Sequence, residues 1–190
     1  MGPSQSLELF EGERAALRAV ALRAVESAAH GAPLLEIDPD EHAPRLRAPG
    51  ASFVTLRLEG ELRGCVGRLE AVDPLVRDVA RSAHRAACAD TRFERVLPHE
   101  LAGLELKISV LSPLEPLRVA SEAELLAALR PGVDGLVLRE SVRGATFLPA
   151  VWESLPAPEE FLRELLRKAG LPGRYWSDTL RFERYTSFEF

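Results

Sequence analysis

Cys65 is the side chain of this sequence best placed to do chemistry, because it stands between Gly64 and Gly67 in the run Arg63-Gly64-Cys65-Val66-Gly67. Two glycines on a strand cost packing and mark a bulge or a place that something approaches closely, so the thiol can face a ligand there. A thiolate attacks carbonyls and disulfides, and Arg63 would favour that form wherever the two side chains met. They share a strand face only if the strand is regular; a bulge would separate them. The competing reading is a small buried hydrophobe on a bent strand, since free cysteine is among the most buried residue types.

His84 and Cys88 stand four residues apart, a helical spacing that puts them on one face and would supply half of a metal site. The other half is not visible, no CxxC pair occurs, and no metal is assigned. Cys88 is therefore expected to be an inert core thiol with a peripheral His84. His30, His42 and His99 fall at a helix end, in a loop and beside Pro98, where solvent exposure is expected, and no histidine is placed to act as a base for Cys65. Asp90-Thr91-Arg92-Phe93 gathers a carboxylate, a hydroxyl, a guanidinium and an aromatic in one turn, which a cap plus a core-anchoring Phe93 explains equally well. In Thr146 to Glu153 a strand runs into a proline-led turn, with the Trp152 ring expected to be buried.

The elements that must hold these residues are readable from periodicity. Residues 11 to 30 place Leu17, Val20, Ala21, Ala24, Val25 and Ala28 on one helical stripe, stopped by Gly31 and Pro33. Residues 32 to 50 carry four prolines and no period, which predicts a long surface connection. Ala51 to Leu58 and Leu62 to Leu69 predict an antiparallel hairpin through Glu59-Gly60-Glu61, with Cys65 on the second strand. Asp73 and Pro74 predict an N-cap and first position for a helix ending near Asp90. Alternation from Leu104 to Val110 predicts a half-buried strand, and Ser121 with Glu124 a capping box for a helix to about Arg130. Leu136 to Arg139 pairs with Gly144 to Leu148 as a second hairpin, Phe161 to Ala169 forms an amphipathic helix, and Leu180 to Phe190 a closing strand. Tight turns cannot join parallel neighbours, so the fold class is α+β with a largely antiparallel sheet and flanking helices. No repeat or linker divides the chain, which predicts a tail over residues 1–10 and a single domain over 11–190.

Composition narrows the function classes. The 190 residues are 46% apolar and 28% charged, as in an ordinary globular protein. A net charge of −5 with only Lys107 and Lys168 as lysines disfavours nonspecific nucleic-acid binding. Two cysteines make no disulfide framework, which predicts reduced thiols and a cytoplasmic location. Ala15 to Ala29 is interrupted by Arg18, Arg23 and Glu26, so neither a signal segment nor a membrane span is expected. Met1-Gly2 with Ser6 formally fits a myristoylation pattern, but one short enough to occur by chance.

Leu62 to Gly67, Asp90 to Phe93, Leu104 to Ser112, Asp134-Gly135-Leu136 and Thr146 to Glu153 together resemble the AMMECR family (AmmeMemoRadiSam system protein A), from about residue 10 to the C-terminus. LRGCVG is similar to that family's LRGCIG signature and TFLPAVWE to its second marker. Thr91 replaces the proline of the usual DPRF, Arg68 stands where a small polar residue is common, and Ala150 where Gln or Ser is often found. The resemblance implies a larger α+β part and a smaller part with a cleft between them as the active site, and no secure biochemical activity. On that basis Cys65 is the candidate catalytic residue, and Arg63, Gly64, Gly67 and Arg92 are candidate ligand contacts, with a small anionic molecule as the implied ligand. No cofactor is identified. Two functions compete: an enzyme or enzyme component acting on a small molecule, in a pathway with Memo-like and radical-SAM proteins as the resemblance implies, or a noncatalytic protein-binding module. A concave pocket at Cys65 would favour the first and a broad exposed apolar patch the second.

Overall fold

A computed structural model of the chain describes residues 9–190; the Met1-Gly2 acylation pattern and most of the expected tail lie outside the described residues. The chain forms two compact units, a larger one reaching Leu111 and including Phe188–Phe190, and a smaller one over Ser112–Ser187.

In the larger unit α1 (Glu11–Ala29) buries the predicted stripe of Leu17, Val20, Ala21, Ala24, Val25 and Ala28. Its first turn is closed by the Glu13 carboxylate, which accepts the Phe10 backbone N–H at 2.8 Å. Its last turn ends at Gly31, whose φ of 74° lets Gly31 and Ala32 donate back to the carbonyls of Ala28 and Ser27. The expected surface connection is more ordered than its prolines indicated. Pro39 opens a 3-10 turn and Pro44 opens the single turn α2 (Pro44–Arg47), which buries Leu46 completely. Proline at a first helical position starts a turn, because the N–H it lacks would have had no partner.

Strands β1 (Pro49–Leu58) and β2 (Glu61–Gly67) form the predicted antiparallel hairpin. Glu59 and Gly60 both take positive φ, 54° and 84°, as a two-residue turn matched to strand twist requires. Asp73 does not cap the next helix. Asp73–Pro74 pairs with Pro49 and Gly50 as the two-residue strand β3, and Pro74 occupies the cap position of α3 (Leu75–Cys88). The Asp73 carboxylate instead binds Arg68 and Arg81, each at 2.5 Å, which ties the strand end to the helix. Strand β4 (Leu104–Leu111) runs antiparallel to β1 along its whole length. Helix α3 lies on β1 and β2, and α1 lies on α3, so Val54, Leu56 and Ile108 are sealed beneath Val76, Val79 and Ala83. Each such large aliphatic side chain contributes about 1.5–3 kcal/mol.

The smaller unit is built on β5 (Glu115–Leu117), α4 (Glu122–Ala128), β6 (Gly135–Glu140), β7 (Arg143–Phe147), α5 (Pro158–Lys168) and β8 (Arg181–Tyr185). Its sheet has the order β5-β8-β6-β7, all antiparallel, and includes the predicted second hairpin. The Ser121 hydroxyl accepts the Glu124 N–H as expected, but the Glu124 carboxylate reaches one residue further back, to Ala120, and α4 ends at Ala128. Trp152 is buried as expected, stacked on Phe161 with ring centroids 3.8 Å apart, and its indole N–H donates to the Asp134 carbonyl at 2.7 Å. The expected closing strand is two strands. After β8 the chain leaves the second sheet at Thr186, which bonds Ser112 instead, and β9 (Ser187–Glu189) joins the first sheet, where Phe190 and Ile108 exchange both backbone hydrogen bonds. That sheet has the order β2-β1-β4-β9. Among the described residues no helix is long and apolar enough to cross a membrane.

Candidate functional site

The first sheet has one face under α3 and one turned away from it, and β2 divides its residues between them. Gly64, opposite Leu56, lies on the helix side, where a Cβ would stand 2.1 Å from the Ala86 carbonyl oxygen. Gly67 is equally confined, with a Cβ only 2.3 Å from the Ser52 carbonyl oxygen. What approaches these glycines closely is therefore the protein's own backbone, which accounts for both without a ligand.

Cys65 points to the other face, partly exposed. It stands directly opposite Thr55, which on its other side stands opposite Lys107. The Thr55 hydroxyl donates to the Cys65 sulfur at 3.4 Å. Lys107 forms an ion pair with Glu189 of β9, and the Ser109 hydroxyl donates to the same carboxylate at 3.1 Å. Cys65, Thr55 and Lys107 thus form a polar row across β2, β1 and β4, which the Lys107–Glu189 ion pair extends to β9. Sequence reasoning did not place Thr55, Lys107, Ser109 or Glu189 in the site; hairpin register from Cys65 reaches Thr55, whereas the others need the long-range pairing of β4 with β1 and β9.

Arg63 and Cys65 are separated. Leu56 stands opposite Gly64 and Arg57 opposite Leu62, which leaves Arg63 as the extra residue of a β-bulge. Its guanidinium turns to Glu100, at 2.7 and 3.0 Å, and to the carbonyls of Glu94 and Arg95. This pairing holds the Glu100 carboxyl below its ordinary range. Arg63 is accordingly committed to fastening residues 94–100 along β2.

Asp90 and Arg92 complete that fastening. The Asp90 carboxylate accepts the Cys65 backbone N–H at 2.8 Å, and the Arg92 guanidinium reaches the Cys65 carbonyl at 3.5 Å. One acceptor and one donor take the place of a neighbouring strand on the open edge of β2. Arg92 also grips both Asp90 oxygens, at 2.9 and 2.7 Å, and lies over the Phe93 ring. Arg92 first, and then the Cys65 N–H, bring the Asp90 pKa down to about 2 against the cost of burial. The guanidinium beside Cys65 is thus Arg92, with 55% of its side chain exposed.

Beyond the end of β2, Arg68 bridges Asp73 and Asp78, and the Ser52 hydroxyl donates to Asp78 at 2.7 Å. Asp78 is only 1% exposed, and burial raises its pKa despite Ser52 and Arg68. The arginine that departs from the family signature therefore neutralises a buried carboxylate.

Cys88 overturns its expected role. It is exposed, because α3 turns Ala86 and Ala87 to the core and leaves its last residue outside that stripe. Its sulfur lies 3.5 Å from Nδ1 of His84, whose Nε2 lies 3.1 Å from the Ala32 carbonyl. Among the described residues no group of three or more His, Cys, Asp or Glu side chains could hold a metal.

The comparisons with known proteins agree with this architecture. A Methanothermobacter thermautotrophicus protein is 38% identical over 169 residues, covering 86% of this chain and 85% of the relative. A Thermotoga maritima protein is 35% identical over 154 residues, covering 79% of this chain and 83% of its own length. The crystal structure of the uncharacterized protein PH0010 from Pyrococcus horikoshii superimposes with a TM-score of 0.86 at 30% identity, covering 96% of this chain and 92% of that one. The AMMECR1 family profile matches residues 18–190, and the chain belongs to the AMMECR1 family.

Proposed function

We propose that the larger unit binds a small molecule carrying an anionic group at the sheet face turned away from α3, and acts on it as an enzyme or enzyme component. The observation that carries this reading is the in-register polar row through Cys65, Thr55 and Lys107, on strands whose other face is filled by core. The row gathers a thiol, a hydroxyl and an ammonium group on one partly exposed patch of the sheet. Cys65 is the reacting or contacting group, and Thr55 offers its sulfur a hydrogen bond. Arg92, half-exposed at the strand edge, meets the anionic group, a role that Arg63 cannot share while it holds Glu100. The free thiols suit a reducing, cytoplasmic compartment. A shared pathway with Memo-like and radical-SAM proteins belongs to the same proposal and rests on the family resemblance alone.

The test alkylates Cys65 in folded Cys88→Ser protein at neutral pH, with anionic iodoacetate and neutral iodoacetamide compared by peptide mass spectrometry. Iodoacetate should gain on iodoacetamide relative to an unstructured thiol peptide, and Arg92→Gln should abolish that gain while Arg92→Lys keeps part of it. If Cys65 resists both reagents until denaturant is added, the reading fails and the signature serves only to shape a strand.

A further inference from the structure

We infer that His84 and Cys88 form a thiol–imidazole pair that exchanges with low-molecular-weight disulfides bearing anionic groups, at a site separate from the Cys65 face. The hydrogen-bond chain assigns the roles. A backbone carbonyl only accepts, so the contact between Ala32 O and His84 Nε2, at 3.1 Å, places the ring proton on Nε2. Nδ1 then presents its lone pair to the Cys88 sulfur 3.5 Å away. Nucleophile, base and orienting group thus stand in sequence, as thiol activation requires.

The orienting carbonyl is itself held. Ala32 donates its N–H to Ser27 O at 2.9 Å, and the Ser27 hydroxyl donates to Pro33 O at 2.8 Å, so the left-handed Gly31 turn fixes the carbonyl against the end of α3. Cys88 is exposed, so a reagent reaches it without opening the core. Two arginines stand on the segments that adjoin it, in a chain of net charge −5. Exposed Arg85 lies one turn earlier on α3. The Val96 N–H bonds the Ala87 carbonyl at 2.8 Å, bringing the 95–96 segment beside Cys88, and Arg95 Nη1 lies 2.8 Å from where a Gly31 Cβ would be. These guanidinium groups favour a reagent carrying carboxylates.

In the exchange the Cys88 proton passes to His84 Nδ1 and the sulfur attacks one sulfur of the disulfide. The new S–S bond forms as the old one breaks, and the departing thiolate takes the proton from the imidazolium. Cys88 is oxidised to a mixed disulfide while half of the reagent is reduced to a thiol, so no further oxidant is needed.

The experiment treats the folded full chain with dianionic dithiobis(nitrobenzoate) and with neutral dithiodipyridine, and follows each cysteine by peptide mass spectrometry. Cys88 should react faster in the native chain than in urea, and His84→Gln should slow it about tenfold while the Cys65 rate stays constant. Arg95→Gln should slow the anionic reagent about threefold and leave the neutral one unchanged. A native Cys88 rate no greater than the unfolded one, or a rate indifferent to His84→Gln, would overturn the thiol–imidazole pair. An anionic-reagent rate indifferent to Arg95→Gln would overturn the substrate class.

Discussion

The two thiols of the larger unit have opposite surroundings. Around Cys65 nearly every group is already committed: its N–H to Asp90, Gly64 to the Ala86 carbonyl, Arg63 to Glu100. Around Cys88 the partners are fewer and exposed, yet they line up as nucleophile, base and orienting carbonyl. A sequence signature dense in glycine and arginine can therefore record the demands of a frame, while a thiol and an imidazole four residues apart on a helix meet with few other contacts. The comparison breaks if changes around Cys65 leave stability alone, or if changes around Cys88 unfold the chain.

The largest effect is expected at Gly64. A methyl group there would stand 2.1 Å from a backbone oxygen of α3, which cannot swing aside as a flexible side chain could. Gly64→Ala should cost about 3 kcal/mol or more, or prevent folding. Urea unfolding followed by circular dichroism checks this, and a loss under 1 kcal/mol would show that β2 and α3 part easily.

A smaller effect is expected at Asp90, and it depends on pH. Its folded pKa of about 2 lies below the ordinary 3.8, so its charge stabilises the native state above pH 3.8 and that contribution is lost as pH falls through about 2. Because Arg92 is half-exposed, solvent screening reduces the contribution to roughly 1–2 kcal/mol. Asp90→Asn should therefore be less stable than wild type at pH 6, and the gap should close by pH 2. Asp78 has the opposite shift but is present in both proteins, so it cancels in the difference. A gap that persists unchanged at pH 2 would assign the effect to shape rather than charge.

What was legible in the sequence follows the range of the interactions. The first hairpin could be read because Glu59-Gly60 and the alternation around it act within a few residues. The Trp152 burial and the α5 stripe were equally local. The glycines left a bulge open that would separate Arg63 from Cys65, but the partners of Arg63 were not legible, since they are Glu100, 37 residues away, and carbonyls that no side-chain pattern reveals. Asp73 looked like a cap because the local rule was satisfied, and two arginines outbid the backbone for it. The closing strand read as one element because its aromatic pattern continues past Thr186, where pairing changes from one sheet to the other. Cys65 was singled out for its glycines, whereas the row that gives it chemical neighbours comes from β1, β4 and β9.

The smallest expected change completes the comparison. His84 contributes one hydrogen bond to the Ala32 carbonyl and one to a thiol, both at an exposed helix end, and neither lies in the core. Hydrogen bonds of this kind contribute about 0.5–1.5 kcal/mol, and the exposed carbonyl can be satisfied by water when the ring is removed. His84→Gln should therefore shift the urea midpoint by no more than about 1 kcal/mol in free-energy terms, with the slope of the transition unchanged. A loss approaching that of Gly64→Ala would mean that His84 belongs to the frame, and the contrast between the two thiols would disappear. A small loss would mark both His84 contacts as local ones at an exposed helix end, as the contrast between the two thiols requires.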